Sequence, residues 1–337
     1  MDYGVEIAKR ALDIGAITLS PDNPYTWASG YRMPIYNDNR KHLRFPDNRK
    51  LITKAFLHMI EEESISVDII SGTTTSGIAP AASLAQALEI PINILDGQEN
   101  NLICQYTPEY IGQLVDKIPK EKCDVIVSTC PAAIIPAIFA ANQRNLPFAY
   151  IREKQKGHGL MQQVEGILKP GEQIIIVDFY NAYSYLKRAD GLTSKMKEVA
   201  GPGAKKVLED MGMEIVGVIS ENILPAYETP QLEGRKIKHI EDLVSTGGSC
   251  IEEIQTYKNK GATVEFCNAI FSYDFPEMLK KFEGVCKLNR TFGYDLLLDV
   301  ALRKGAIRTE QHEVLKEWRQ DAFNWGAKHG FPKIEKK

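Results

Sequence analysis

The sequence lacks the features that mark several large classes of protein. Its six cysteines form no Cys-x-x-Cys pair and no metal-ligand spacing, so they are expected to be reduced thiols. The longest apolar run, Cys130 to Ala141, is broken by two prolines and is too short to span a membrane. The N-terminus has a helical period and no signal-peptide layout. These absences predict a soluble cytoplasmic protein with no membrane partner.

The chain also lacks a large excess of either charge. Its 337 residues carry a formal net charge of −3, which argues against nucleic acid as a main partner. Any function that needs positive charge must therefore depend on a local cluster. The length is sufficient for a large core and allows two domains.

The most informative stretch that is present runs from Glu241 to Ser249. Glu241 and Asp242 end an apolar strand, and a turn of hydroxyl and glycine residues then opens a helix predicted from Cys250 to Lys260. Glycines let the backbone close around a bound group, and the helix N-terminus offers N–H groups to an anion. The adjacent carboxylates suit ribose hydroxyls or a divalent metal. The stretch therefore predicts a ribose 5-phosphate site, and the alternative is an ordinary turn between a strand and a helix.

A second turn of the same type follows the predicted strand Val67 to Ile70. Its sequence from Ser71 to Gly77 is rich in threonine and glycine, and it opens a helix predicted from Ile78 to Leu88. A capped turn without a ligand is an equally simple explanation of this segment alone. Two such turns in one parallel sheet, however, suit a substrate with phosphate at both ends of a ribose.

Two further segments suggest contacts with a ligand. Residues 152–159, after a strand from Phe148 to Ile151, combine three cations, a histidine and two glycines, as expected of a mobile lid over a polyanion or of a solvated loop. The extended aromatic segment from Pro24 to Arg40 suits a flat polar heterocycle, although a hairpin packed on the core would have the same composition.

Together these motifs resemble the type I phosphoribosyltransferases, and in particular the orotate phosphoribosyltransferase family. The resemblance lies in EDLVSTGGS, in the N-terminal WASG and PIYNDNR, in the basic segment R-x-x-x-K-x-H-G, and in the C-terminal FSYDFPE, YDLLLDVALRKGAI and LKEWRQDAFNW. It implies an α/β fold with a mostly parallel sheet flanked by helices and an N-terminal hood. It also implies transfer of the 5-phosphoribosyl group from phosphoribosyl pyrophosphate (PRPP) to orotate, with Mg²⁺, in a homodimer.

The resemblance assigns a role to individual residues of this chain. The catalytic positions are Arg152, Lys156, His158 and Asp242. The PRPP-binding positions are Thr73, Thr74, Thr75, Ser76, Gly77, Lys154, Glu241, Asp242, Ser245, Thr246, Gly247, Gly248 and Ser249. The orotate-binding positions are Ser29, Gly30, Tyr36, Arg40 and Ser245. Mg²⁺ would be held mainly by PRPP, with Glu241 and Asp242 as indirect ligands, and the basic loop 152–159 would reach the site of the neighbouring subunit.

The chain departs from the family pattern at two positions of these motifs. Ser76 stands where some members have a lysine, and Glu153 stands where a lysine is frequent, with Lys154 as a candidate replacement. These departures leave the corresponding pyrophosphate contacts open.

An internal repeat accounts for two segments that the compact family pattern does not contain. An offset of 56 positions relates Asp68 to Asp124, and an offset of 63 relates Asp178 to Glu241. Each relation pairs a turn that has its glycines with one that lacks them, so the second copies are predicted to be structural and to bind no ligand. The extra strands could widen the sheet or form a separate arrangement.

The predicted organisation has three parts. Residues 1–62 form the hood, residues 63–274 form the core with insertions at about 96–146 and 174–231, and residues 275–337 form a C-terminal helical segment. Two alternative functions stay open. One is a phosphoribosyltransferase for another base, and the other is a non-catalytic PRPP-binding interaction protein.

Overall fold

The chain folds as an α/β protein with two larger sheets, each mainly parallel and flanked by helices. This is a computed structural model, and it describes residues 1–27, 29–96, 102–151, 164–181, 201–223 and 231–334. The predicted fold class, a mostly parallel sheet flanked by helices, is confirmed. In the described part of the chain, no helix combines the length and the apolar character needed to cross a membrane.

The N-terminal region is a helix followed by a small hood and a second helix. Its elements are α1 (Tyr3–Asp13), β1 (Ile17–Leu19), β2 (Tyr25–Thr26), β3 (Arg32–Met33), β4 (Ile35–Asn37), a 3₁₀ helix (Asn39–Arg44) and α2 (Pro46–Glu63). The short strands form two antiparallel pairs, β1 with β4 and β2 with β3. The predicted extended, turn-rich hood is therefore present.

The first larger sheet has six strands. Its elements, with their helices, are β5 (Ile69–Gly72), α3 (Ile78–Leu88), β6 (Ile92–Asp96), β7 (Leu102–Tyr106), β13 (Ile237–Val244), α7 (Gly248–Asn259), β14 (Phe266–Ser272), α8 (Pro276–Phe282) and β15 (Lys287–Gly293). The strand order is β15-β14-β13-β5-β6-β7, and only β7 is antiparallel to its neighbour.

The second larger sheet has five strands and is built from the inserted segments and the chain between them. Its elements, with their helices, are α4 (Pro108–Lys117), β8 (Val125–Ser128), α5 (Pro131–Gln143), β9 (Phe148–Ile151), β10 (Val164–Glu165), β11 (Gln173–Asn181), α6 (Gly201–Asp210) and β12 (Glu214–Ile223). The order is β10-β9-β8-β11-β12, with β10 antiparallel to β9. Of the two arrangements considered for the inserted strands, the structure shows the separate one, because β8 pairs with β9 and β11 and not with the first sheet.

From Tyr294 onward the chain is helical and packs on the hood, but the segment 275–337, predicted to be helical, also contains β15 of the first sheet. It contains α9 (Tyr294–Arg303), α10 (Thr309–Gln320) and α11 (Ala322–Lys328). The single helix expected around Glu310 to Trp325 is two helices, because Asp321 leaves the helical region with φ −148°. Trp318 of α10 is fully buried, and its ring lies 5.7 Å from Tyr273 and 6.4 Å from Trp27 of the hood. This aromatic cluster fixes the hood against the first sheet.

Candidate functional site

The two predicted phosphate turns lie at the same edge of the first sheet. They follow β5 and β13, which are adjacent and parallel, with Gly72 opposite Ile240. The Thr73 amide donates a hydrogen bond of 3.0 Å to the Ile240 carbonyl, so pairing continues into the first turn. In parallel α/β sheets, ligands bind outside the carboxyl ends of adjacent strands. The structure therefore brings the two turns together.

The turn from Gly72 to Gly77 is closed so tightly that both ends require glycine. A Cβ atom on Gly72 would lie 2.4 Å from the Gly77 carbonyl oxygen, and one on Gly77 would lie 2.6 Å from the Ile240 oxygen. The Thr74–Thr75 peptide bond is cis. The predicted residues Thr74, Thr75 and Ser76 are partly exposed, whereas Thr73 is buried. The middle residues of the turn are therefore accessible to a ligand, whereas Thr73 is not.

A carboxylate of α7 connects the two turns. Glu253 Oε1 accepts a 3.0 Å hydrogen bond from the Thr74 backbone N–H, and Glu253 lies one turn along the helix that starts at the second phosphate turn. This hydrogen bond joins the first turn to the helix that begins at the second turn. Sequence reasoning missed Glu253, because it lies outside both motifs.

The second turn, from Ser245 to Ser249, is open at the N-terminus of α7. Thr246, Gly248 and Ser249 are exposed, and a Cβ atom on Gly248 would have no neighbour within 4 Å. Gly247 adopts φ +75° and packs against Phe282, which satisfies the predicted need for glycine. Because the first N–H groups of a helix have no partner within it, this turn can bind an anion.

The acidic pair Glu241–Asp242 is divided between two environments. Glu241 is buried, whereas Asp242 is partly exposed, and the two carboxyl groups lie close to each other. Glu241 is 5% exposed, and its Oε1 accepts a hydrogen bond of 2.9 Å from the Asp242 amide. Burial raises the pKa of Glu241, and the nearby Asp242 raises it further. The pair therefore offers one accessible carboxylate, that of Asp242.

Asp242 lines a cavity with residues of the hood and of the first turn. Asn39 and Arg40 contribute from the hood, and Ser76 contributes from the turn. Asn39 Nδ2 also donates a 2.6 Å hydrogen bond to the Asp242 backbone carbonyl. The hood, the first phosphate turn and Asp242 thus line one cavity. The role of Asn39 was not predicted, since its partner is 203 positions away in sequence.

Arg40, predicted to bind orotate, is held by two carboxylates. Its Nε lies 2.5 Å from Asp38 Oδ1, and its Nη1 lies 2.6 Å from Glu165 Oε1 of β10. Burial alone would lower the pKa of Arg40, but Asp38 and Glu165 reverse the effect and raise it. Tyr36 lies close by, and burial followed by the charge of Asp38 raises its pKa. Both residues are therefore fixed in defined protonation states at neutral pH.

The other predicted orotate residues lie farther along the hood. Ser29 is exposed, whereas Gly30 is buried with φ +83°. The Gly30 amide donates to the Trp27 carbonyl at 2.8 Å, and its carbonyl accepts from the Ile334 amide at 2.9 Å. Both backbone groups of Gly30 are thus engaged within the protein. The basic positions Arg152, Lys154, Lys156 and His158 lie outside the described residues.

His239, which was not predicted, lies beneath the first turn. Its imidazole is fully buried between two hydroxyls, with Nδ1 2.7 Å from Ser71 Oγ and Nε2 2.9 Å from Thr73 Oγ1. The repeat could have revealed it, because Ser71 and His239 correspond to Val127 and Ile176 in the second copies. Since the pair is polar in the first copy and apolar in the second, the polar side chains are required by the candidate site and not by the strand pairing.

The residues present offer few ligands for a metal. Among the described residues, no group of three or more His, Cys, Asp and Glu side chains is placed to hold an ion. Asp242 supplies an accessible carboxylate at the cavity, which suits Mg²⁺ when most of its other oxygen ligands come from a substrate or water.

Comparisons with known proteins show one group of similar sequences. No family model matches the chain. The orotate phosphoribosyltransferase of Streptococcus sanguinis is 28% identical over 328 residues, which cover 97% of this chain and 100% of that protein. The orotate phosphoribosyltransferase of Streptococcus gordonii is 28% identical over 326 residues, which cover 96% of this chain and 99% of that protein.

Solved structures give more distant similarities. Leishmania donovani UMP synthase has a TM-score of 0.42 and 15% identity, and the alignment covers 94% of this chain and 42% of that one. The orotate phosphoribosyltransferase of Aeropyrum pernix has a TM-score of 0.41 and 13% identity, with 89% and 99% covered. The resemblance predicted from the motifs is confirmed by the sequence relatives: this chain is similar to orotate phosphoribosyltransferases over almost its whole length.

Proposed function

We propose that the protein transfers the 5-phosphoribosyl group from PRPP to orotate, giving orotidine 5′-monophosphate and pyrophosphate, a step of pyrimidine nucleotide biosynthesis. The observation that carries the proposal is the arrangement of two glycine-containing turns at the ends of adjacent parallel strands, beside a cavity that Asp242 lines. Such turns suit the 5-phosphate and the pyrophosphate of PRPP, and Asp242 suits the ribose between them. The orotate phosphoribosyltransferase names of the relatives support the choice of reaction.

The substrate would lie along the carboxyl edge of the first sheet. Its 5-phosphate would bind the turn from Ser245 to Ser249, and its pyrophosphate would bind the turn from Thr73 to Gly77. The ribose hydroxyls would then face Asp242. Orotate would bind on the hood side of Asp242, close to Arg40 and Tyr36.

The chemistry requires charge stabilisation and no covalent nucleophile. As the bond to pyrophosphate breaks, positive charge grows on the ribose and negative charge grows on the leaving group. The Asp242 carboxylate, close to the ribose, would favour the positive charge, and the partly exposed residues Thr75 and Ser76 of the first turn would favour the negative charge. Mg²⁺, bound through PRPP oxygens and Asp242, would supply further neutralisation of the pyrophosphate.

The basic segment would provide the remaining positive charge. Arg152, Lys154, Lys156 and His158 lie outside the described residues, but the strands on either side of them are described. β9 and β10 pair with each other, and Glu165 of β10 contacts Arg40 of the hood. The ends of the segment are thus attached close to the proposed orotate position.

The test is an assay of orotate loss with the purified protein. We expect consumption that requires both PRPP and Mg²⁺, with one pyrophosphate released for each orotate consumed. Pyrophosphate release with a purine base and not with orotate would favour a phosphoribosyltransferase for another base. Calorimetric binding of PRPP without turnover of any base would instead favour a PRPP-binding interaction protein.

A further inference from the structure

The two larger sheets share one framework, strand for strand. The central strands β6-β5-β13-β14 of the first sheet correspond to β9-β8-β11-β12 of the second, and all are parallel. An antiparallel strand is added beside β6 as β7 and beside β9 as β10. The predicted duplication of two units is therefore a duplication of one sheet.

The register between strands agrees at every paired position of β5 with β13 and of β8 with β11. With the offsets of 56 and 63, the corresponding pairs are Ile69–Ile237 and Val125–Ile174, Ile70–Lys238 and Ile126–Ile175, Ser71–His239 and Val127–Ile176, and Gly72–Ile240 and Ser128–Val177. Hydrogen bonds repeat as well: Thr73 N–H donates to Ile240 O, and Thr129 N–H donates to Val177 O. Since a one-residue slip would turn every side chain over, such agreement requires a common framework.

The copies meet through equivalent helices in a reciprocal contact. Gln86 of α3 and Asn142 of α5 are equivalent positions, and Asn142 Nδ2 donates to Gln86 Oε1 at 3.0 Å. Gln86 Nε2 donates to the Phe139 carbonyl, and Asn142 Nδ2 also approaches Ser83 Oγ, where Ser83 and Phe139 are themselves equivalent. A contact in which each position meets its own counterpart is the mark of a twofold interface between identical subunits. Here both sides belong to one chain.

The second copy has lost the first phosphate turn. Helix α5 begins at Pro131, the counterpart of Thr75, so residues that form the turn in the first copy are helical in the second. Asp178, the counterpart of Glu241, is buried and accepts hydrogen bonds from the Thr129 and Ser220 hydroxyls. In the described part of this copy, the group that corresponds to the acidic residue Glu241 forms hydrogen bonds within the protein.

The second copy nevertheless contributes to the site of the first. Glu165 of β10 is 5% exposed and holds Arg40, which lines the cavity beside Asp242. Arg44, four residues later, forms a two-pronged ion pair with Glu172, just before β11. The hood is therefore attached to both sheets, and one side of the candidate site rests on the second.

We propose that the second sheet is a built-in partner: a copy without a PRPP site that occupies, within one chain, the place of a second subunit and positions Arg40 through Glu165. A single chain then forms the complete site and binds one PRPP. The family resemblance implies a homodimer whose neighbouring subunit completes the site, and the internal copy makes that neighbour unnecessary. The PRPP part rests on the proposed function, whereas the internal pairing does not.

Two measurements on the full chain test the built-in partner. Sedimentation velocity over a 100-fold concentration range should give one species with the mass of a single chain, and orotate turnover per chain should not change on dilution. A dimer whose turnover per chain falls on dilution would overturn the proposal. A monomer that neither binds PRPP nor consumes orotate would refute the proposed function and leave the internal pairing intact.

A charge-reversal set tests whether the hood and the second sheet pair within one chain. Arg44→Glu and Glu172→Arg should each lower the melting temperature, and the double variant in one chain should recover most of the loss. An equimolar mixture of the two single variants, refolded together, should stay as unstable as either alone. Recovery in the mixture would mean that the pairing joins two chains, which overturns the proposal. If a single variant does not fold, Arg44→Gln and Glu172→Gln replace the reversal set. Because the two residues interact, the loss of stability in their double variant should be smaller than the sum of the two single losses.

Discussion

Arg40 of the hood and Glu165 of the second sheet form an ion pair in which Nη1 and Oε1 lie 2.6 Å apart. Both side chains are largely buried, so the pair is shielded from the screening that weakens surface ion pairs. Asp38 occupies a second edge of the same guanidinium. The orientation of Arg40 beside the cavity is therefore set by two carboxylates, one from each part of the molecule.

Glu165→Gln should raise the KM for orotate several-fold with a smaller effect on kcat, because Arg40 keeps Asp38 but loses its charged partner on the second sheet. The loss of a charge-assisted hydrogen bond should also cost about 1–3 kcal/mol of stability. Steady-state kinetics and urea unfolding measure the two effects. Glu172→Gln is the matched control, since it breaks the Arg44 ion pair and leaves Arg40 untouched. An equal rise in KM in both variants would show a general loosening of the hood instead.

Asp242→Asn should lower kcat by on the order of 10-fold or more, because the neutral amide no longer stabilises the positive charge that develops on the ribose. Glu241→Gln is the control. Burial and the adjacent Asp242 raise the pKa of Glu241, so the neutral amide is a smaller change at this buried position than at Asp242. The control should retain most of its activity. A larger loss of kcat in Glu241→Gln than in Asp242→Asn would show that Glu241, and not Asp242, faces the ribose.

Gly77→Ala should weaken PRPP binding at least 10-fold, since a Cβ at this position would lie 2.6 Å from the Ile240 oxygen and force the turn to open. Gly248→Ala places a Cβ in open space at the other turn and should be tolerated structurally. Calorimetric titration with PRPP measures both affinities. If Gly77→Ala remains folded and its affinity for PRPP is unchanged, the first turn does not bind PRPP.

The parts of the site that follow local rules could be predicted from the sequence. A strand, a glycine-containing turn and a helix N-terminus occupy consecutive residues, so both phosphate turns were found, and helix α3 has the predicted bounds Ile78–Leu88. The unequal burial of Glu241 and Asp242 was not predicted, because the two carboxylates were treated as one feature.

The parts that depend on distant contacts could not be predicted. Strand periodicity shows that β8 and β11 are buried, but it does not show whether they join the first sheet or pair with each other. The contact of Asn39 with Asp242 and that of Arg40 with Glu165 join residues that no local pattern relates. The residues of the hood were therefore identified by resemblance, while their partners became visible only in the fold.

Lys156→Ala should lower kcat more than it weakens PRPP binding, because the charge is needed most when the pyrophosphate leaves. Comparing single-turnover rates with the calorimetric affinity for PRPP distinguishes the two effects. Lys120→Ala removes an exposed lysine from a different loop and serves as the control. If Lys156→Ala weakens PRPP binding but leaves the single-turnover rate unchanged, Lys156 contributes only to binding of the substrate.

His42 should make the protein less stable in mild acid. Burial, together with the charge of the nearby Arg10, lowers the pKa of His42 from 6.5 to about 4. Between these values the unfolded chain binds a proton that the folded chain excludes, so the free energy of unfolding rises with pH from 4 to 6.5 and this contribution is constant above 6.5. The full contribution is about 3 kcal/mol.

Urea unfolding at several pH values between 4 and 7.5, in the wild type and in His42→Gln, isolates this contribution from that of the carboxylates. The wild type should gain about 3 kcal/mol more than the variant over this range. His58→Gln is the control, because it replaces a histidine of α2 whose side chain is 50% exposed. Parallel pH profiles for the wild type and His42→Gln would contradict the prediction. They would show that His42 binds a proton equally well in the folded and the unfolded protein.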